Sequence, residues 1–197
     1  MSKYIRPILI GFAAAFVVSF GLAFTFARLG ASNIGISIYC GLFIGAFTAY
    51  ILANLAGNRK VVTADAAQHG AAVAMTPVAG KALVYVYREG FVGKAAGMNV
   101  AVDGKPVAQL TSPRFTVVAV SPGPHTVSAA FGGLAGPQNK TAEATFTAEA
   151  GGVHAFRITL SMGMLQNSIQ LAPTPDLAAV KGALGHMKMT APDLAEV

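Results

Sequence analysis

The stretch CGLFIGAFTAYILANLAGNRK, residues 40–60, carries no charge before Arg59 and places a small residue at every fourth position: Gly41, Gly45, Ala49, Ala53 and Gly57. Extended back to Ile34, the uncharged run reaches Leu55 and counts twenty-two residues. A second uncharged run, Ile8–Ala27, counts twenty. A hydrocarbon core of about 30 Å is crossed by about 20 helical residues. Each run is therefore long enough to span a bilayer as a helix that satisfies its own backbone hydrogen bonds. The break between them, Arg28-Leu-Gly-Ala-Ser-Asn33, suits a tight turn, so residues 1–60 read as a transmembrane helical hairpin with helices over 8–27 and 34–55. The first run is longer than the 7–15 apolar residues of a secretory signal and keeps bulky Phe nearly to its end, which favours retention over cleavage.

Residues four apart share one helix face. On the second helix that face holds Ser37, Gly41, Gly45, Ala49 and Ala53; the first has a matching row, Gly11, Ala15, Ser19, Ala23 and Ala27. Lipid tails are as apolar as Leu, so helices associate in a bilayer largely through close backbone approach and its dispersion contacts. The two rows predict that the helices pack on each other. Phe12, Phe16, Phe20 and Phe24 run beside the first row and are left to face lipid or a neighbouring subunit. Cys40 lies within the second run, next to Tyr39 rather than a small residue, and reads as packing rather than lipid attachment.

Composition fits this division. Of 197 residues 54% are hydrophobic and 11% charged, against roughly 25% charged in a soluble domain. The net charge is +6, yet residues 1–60 hold Lys3, Arg6, Arg28, Arg59 and Lys60 with no acid, and the other nine basic residues are nearly balanced by all eight acids. The excess flanks the apolar runs and builds no basic face for phosphates, which excludes nucleic acid as a partner. Lys3, Arg6, Arg59 and Lys60 lie at the ends away from the turn, so the positive-inside rule places both termini, and the rest of the chain, in the cytoplasm.

Residues 61–80, VVTADAAQHGAAVAMTPVAG, show no clear period and read as a linker, either a flexible spacer or an irregular segment on the following domain. From Lys81 to residue 172 the pattern becomes β. Ala82–Arg88 is β-branched and aromatic, and Asp103-Gly104 joins two short strands over 99–110. Further strands read over 115–120, 125–131, 141–148, 153–160 and 166–171, a spacing that predicts an all-β sandwich. In the tail, 173–197, Thr174-Pro-Asp176 reads as a helix start with Thr174 as N-cap. Leu177, Val180, Leu184 and Met187 follow at helical spacing as a short amphipathic docking helix, aimed at its own domain or a partner.

Tyr85-Val-Tyr-Arg88, Val102-Asp-Gly104, Val120-Ser-Pro-Gly123 with His125-Thr126, and Ala150-Gly151 before Phe156-Arg157 resemble a bacterial family known as domain of unknown function 2846. The Val-Asp-Gly-Lys-Pro and Pro-Gly-x-His-Thr elements are also similar to small PEGA-type β-domains of bacterial surface proteins. The resemblance covers about residues 81–172 and implies a fold, with no activity or catalytic residue. Many family members look like envelope lipoproteins, whereas this chain has a helical hairpin and no lipid-attachment box.

Catalytic signatures are absent. His69, His125, His154 and His186 fall in the linker, a turn, a strand start and the tail, without metal-ligand spacing. No Gly-x-Ser-x-Gly elbow or phosphate loop occurs, and neither apolar run holds a His for haem. The expectation is a non-enzymatic, cofactor-free protein of a bacterial inner membrane: a membrane-anchored β-sandwich that acts as scaffold or accessory subunit through contacts with other membrane-protein subunits, with itself, and with the bilayer. The alternative is an envelope-facing domain that binds glycan or peptide.

Overall fold

The computed structural model describes residues 2–31, 33–133, 136, 140–162 and 167–197. The chain divides into two compact units, Met1–Gly57 and Asn58–Val197.

The first unit is an antiparallel pair of apolar helices, α1 (Ser2–Arg28) and α2 (Ile34–Leu55). α1 begins earlier than the uncharged run because Lys3 and Arg6 are good helix formers, and it carries Pro7 inside. It ends in a Schellman turn. Gly30 takes a positive φ of 72°, its N–H donates to Ala27 O at 3.2 Å, and the Ala31 N–H donates to Phe26 O at 2.9 Å.

The second unit holds nine strands and two helices among its described residues. One sheet runs β8 (Asn167–Pro173), β7 (Val153–Met162), β1 (Ala82–Arg88), β4 (Arg114–Val120), β9 (Lys188–Met189). The other runs β3 (Lys105–Leu110), β2 (Met98–Val102), β5 (Gly123–Phe131), β6 (Ala142–Ala148). Their facing sides bury Val84, Val86, Val100, Val107, Val127, Phe156 and Ile158 in one core. The outer side of the five-stranded sheet is covered too. Tyr85, Tyr87, Phe115 and Ala155 pack there with Ala72 of α3 (Ala66–Ala74) and with Val180 and Leu184 of α4 (Leu177–Gly185). The domain is thus a β-sandwich with a third, helical layer. β1 is buried at all seven positions because it is central and covered on both faces, which is why Ala82–Arg88 shows no alternation.

Three expectations need correction. Residues 61–80 are not a linker: Asp65 opens α3 with a capping box. The Gln68 N–H donates to Asp65 Oδ1 at 2.8 Å and the Asp65 N–H donates to Gln68 Oε1 at 3.1 Å. The Tyr85 hydroxyl donates to Ala72 O at 2.7 Å, and His69 Nε2 lies 2.9 Å from Met187 O, so the helix is tied to the sheet and the tail. Burial pushes the Tyr85 hydroxyl up to about 12. The N-cap of α4 is Asp176, which accepts from the Ala179 N–H at 3.0 Å, and not Thr174. Thr174 is engaged instead with the Tyr87 hydroxyl at 3.1 Å. His125, expected in a turn although the strand reads over 125–131, lies inside β5, which already begins at Gly123.

Candidate functional site

In the helical pair, the small residues of α1 and α2 meet at mid-length. A Cβ added to Gly45 would lie 2.5 Å from Gly11 O and 2.6 Å from Ala15 Cβ. One on Gly11 would lie 2.6 Å from Ala49 Cβ, and one on Gly41 would lie 2.5 Å from Ala15 O and overlap Ser19 Oγ. Any side chain at these glycines forces the backbones apart. Ser37 and Ala53 are buried on the same face of α2, and Ser37 Oγ donates to Asn33 O at 3.1 Å. Ala23 is half-buried, whereas Ala27, in the last turn of α1, is exposed. Phe12, Phe16, Phe20 and Phe24 are all exposed, with Phe16 stacked on Phe20 at 6.1 Å. On α2, Phe43 stacks on Phe47 at 6.5 Å in the same exposed manner.

The docking helix packs on its own domain. Val180 and Leu184 are fully buried, Met187 is buried just beyond α4, and Leu177 is half-buried against the same cluster.

The sequence did not reveal a cleft at the side of the sandwich where edge strand β6 faces β7 and β8. It has a volume of about 630 Å³ and is lined by Ala144 and Phe146 of β6, His154 and Phe156 of β7, and Pro173, Thr174 and Leu177 beyond. The Phe146 ring organises it, with centroids 5.2 Å from Phe156, 4.8 Å from His154 and 5.7 Å from His125. On the His125 side of Phe146 lies a second hollow, of about 420 Å³, lined by Asp103, Thr126 and Thr147.

His125 is held from both ring nitrogens. Nδ1 lies 2.6 Å from Asp103 Oδ2 and Nε2 lies 2.7 Å from Ser121 O. A carboxylate and a carbonyl only accept, so both contacts are hydrogen bonds when the ring is imidazolium. Burial pulls the His125 pKa down, but the bonds to Asp103 and Ser121 and the Asp103 charge outweigh it, and the net shift is upward. Burial raises Asp103, but the Thr126 N–H at 2.8 Å, His125 and Lys105 bring it below its ordinary value. His154 is lowered by burial; Glu149 pulls it back up, and the His125 charge adds a lesser downward push. The two histidines are thus shifted in opposite directions, and both rings neighbour one phenyl ring.

Asp103 does double duty. At φ 50° it makes the hairpin turn with Gly104, and its carboxylate ties that turn to β5. Proximity of Asp103 and His125 had no signal in spacing, since they are 22 residues apart. Among the described residues, no group of three or more His, Cys, Asp or Glu side chains is placed to hold a metal ion.

These features define a small β-sandwich domain, layered with helices on one sheet, that follows a pair of long apolar helices. Residues 78–171 match the model of a family described as Protein of unknown function (DUF2846), the family that the sequence resemblance pointed to. The match runs from just before β1 into β8 and leaves α1, α2, α3 and α4 outside. No curated protein matches the chain.

Proposed function

We propose that the protein is a membrane-anchored β-sandwich scaffold, an accessory subunit of a larger inner-membrane assembly that works through protein contacts. The carrying observation is the helical pair. Its small residues are spent on helix–helix contact, and its Phe rows are left outward. Windows of mean hydropathy 2.3 in α1 and 1.9 in α2 are only 6% and 22% buried, unlike a core helix of a water-soluble domain. So large an apolar surface calls for lipid or a partner. No reaction is assigned, because His125, the histidine of the smaller hollow, has both ring nitrogens occupied.

A second reading has one observation in its favour. The Phe146 cleft is apolar with a few polar groups, the usual composition of a ligand site. On that reading the domain faces the envelope and takes a short glycan or peptide beside β6. Purification of the full chain from its native host in mild detergent separates the two. Co-purification of a fixed set of membrane subunits, lost when Phe16 and Phe20 are both changed to Ala, supports the scaffold. Recovery of the chain alone overturns it.

A further inference from the structure

β1 ends at Arg88, a fully buried cation that no carboxylate among the described residues accompanies. Its guanidinium is used on backbone carbonyls: it donates to Gly93 O at 2.7 Å, to Leu110 O at 3.0 Å and to Ala96 O. Two of these belong to the loop 89–97 between β1 and β2. The loop is fixed from other sides as well. The Ser112 N–H donates to Lys94 O at 2.9 Å, and Ser112 Oγ donates to Gly90 O at 2.8 Å. Asn58 Nδ2 donates to Ala95 O at 2.7 Å, and the Gly97 N–H donates to Asn58 Oδ1 at 2.6 Å. What this rigid frame presents is Phe91, 84% exposed, the most exposed large apolar side chain among the described residues. Lys94 Nζ lies 5.7 Å from its ring centroid. The nearby acid, Glu89, is paired with Arg157 at 3.2 Å and so does not offset that cation.

A rigid loop that holds a bare phenyl ring in water gains nothing for the fold, since an exposed ring contributes no burial. Its place in the chain supplies a reason. Asn58, which clasps the loop, is the third residue past the end of α2, and three residues reach at most about 11 Å. Lys60, two residues on, is exposed. Resting on the spanning reading above, we propose that loop 89–97 is a membrane-surface contact: Phe91 enters the interfacial layer of the bilayer while Lys94 and Lys60 face lipid phosphates. Aromatic rings and long basic side chains share that layer because one end of each is apolar or flexible and the charge stays wet.

The chain contains no Trp, so a single substitution makes a clean reporter. The full chain, carrying Phe91→Trp, Ala150→Trp or Phe16→Trp, is placed in nanodiscs of phosphatidylcholine and phosphatidylglycerol with brominated acyl chains. Ala150 is exposed in the turn beside Lys81, at the opposite end of β1 from the loop. Expected is blue-shifted emission from Phe91→Trp, quenched several-fold more than Ala150→Trp, with the quenching reduced when Lys94→Glu is added. Equal quenching at positions 91 and 150, with Phe16→Trp strongly quenched, overturns the loop contact and leaves the spanning hairpin standing. An unquenched Phe16→Trp overturns both.

Discussion

At the scale of single residues, Arg88 and His125 are polar groups that hold the domain for different reasons. Arg88 meets only carbonyls, and burial lowers its pKa to about 10, so it stays charged at neutral pH. Arg88→Met removes the cation and orphans those carbonyls together. The expected loss is about 3 kcal/mol in chemical denaturation of the full chain, with Arg88→Lys intermediate because one ammonium cannot span the same fork. His125 acts through pH. Its folded pKa lies above the unfolded value, so its contribution is complete below about pH 6.5 and fades as the pH rises through the folded value. Asp103 has the opposite sign and loses its contribution as the pH falls below the carboxylate range. The stability difference between the natural chain and His125→Gln is therefore expected to be largest at about pH 5 to 6 and to shrink by pH 8. A flat difference across that range would remove the imidazolium from the account. Both residues were quoted in sequence, but neither one's bonding partners were legible there. Asp103-Gly104 was legible because a two-residue hairpin needs positive φ at both positions. The acceptors of Arg88 are backbone atoms and leave no trace in residue identity.

At the scale of elements, α2 matches its uncharged run residue for residue, because nothing in Ile34–Leu55 competes with helix and Asn33 and Ala56 stand at its ends. α3 was missed for the converse reason. Its nine residues are mostly Ala and Val without a clear apolar period, and the one signal present, Asp65-Ala-Ala-Gln68, is a capping box with Asp in place of Ser or Thr. Asp65→Ala is expected to cost about 1 kcal/mol, read as a lower urea midpoint, because it frees an N–H that the capping box satisfies. Between α1 and α2, overpacking gives the sharpest test. Gly45→Leu drives a branched side chain into Gly11 O and Ala15, whereas Leu42 is exposed. Gly45→Leu is expected to cost about 1–3 kcal/mol or more of helix–helix stability, seen as a lowered melting temperature in detergent. Leu42→Ile is expected to change it little, and equal melting of the two variants would show that the close approach is not stabilising.

At the scale of the whole molecule, the two-sheet core was legible and the third layer was not. Strands announce their two faces by alternation; β6 alternates in burial, while β1 does not and says only that both sides are covered, without naming by what. The cleft beside Phe146 was illegible for a related reason, since it is made where β6 comes near β7 and β8, strands that do not pair with it. On the proposed spanning reading, orientation is a property of the intact protein and is tested on it. With Cys40 replaced, a cysteine at the exposed Ala150 is expected to resist a membrane-impermeant thiol reagent in intact cells and to react after lysis. Prompt labelling in intact cells would place the domain outside and favour the ligand reading.

The last segment also sets an order of events. Residues 188–197 line the free edge of β4. Met189 O accepts from the Ala64 N–H at 3.0 Å, the Thr190 N–H donates to Phe115 O at 2.8 Å, and the Ala119 N–H donates to Ala195 O at 3.0 Å. The Ala191 N–H donates to Val62 O at 2.9 Å, and Arg59 pairs with Asp193 at 3.0 Å, so the first residues of the domain are stitched to its last. During synthesis the two apolar helices leave the ribosome long before this seam can close. Until residue 190 and beyond have emerged, the growing chain carries an open strand edge that invites pairing with another chain. A tether to a membrane while that edge waits would keep neighbouring nascent copies from meeting it in free solution.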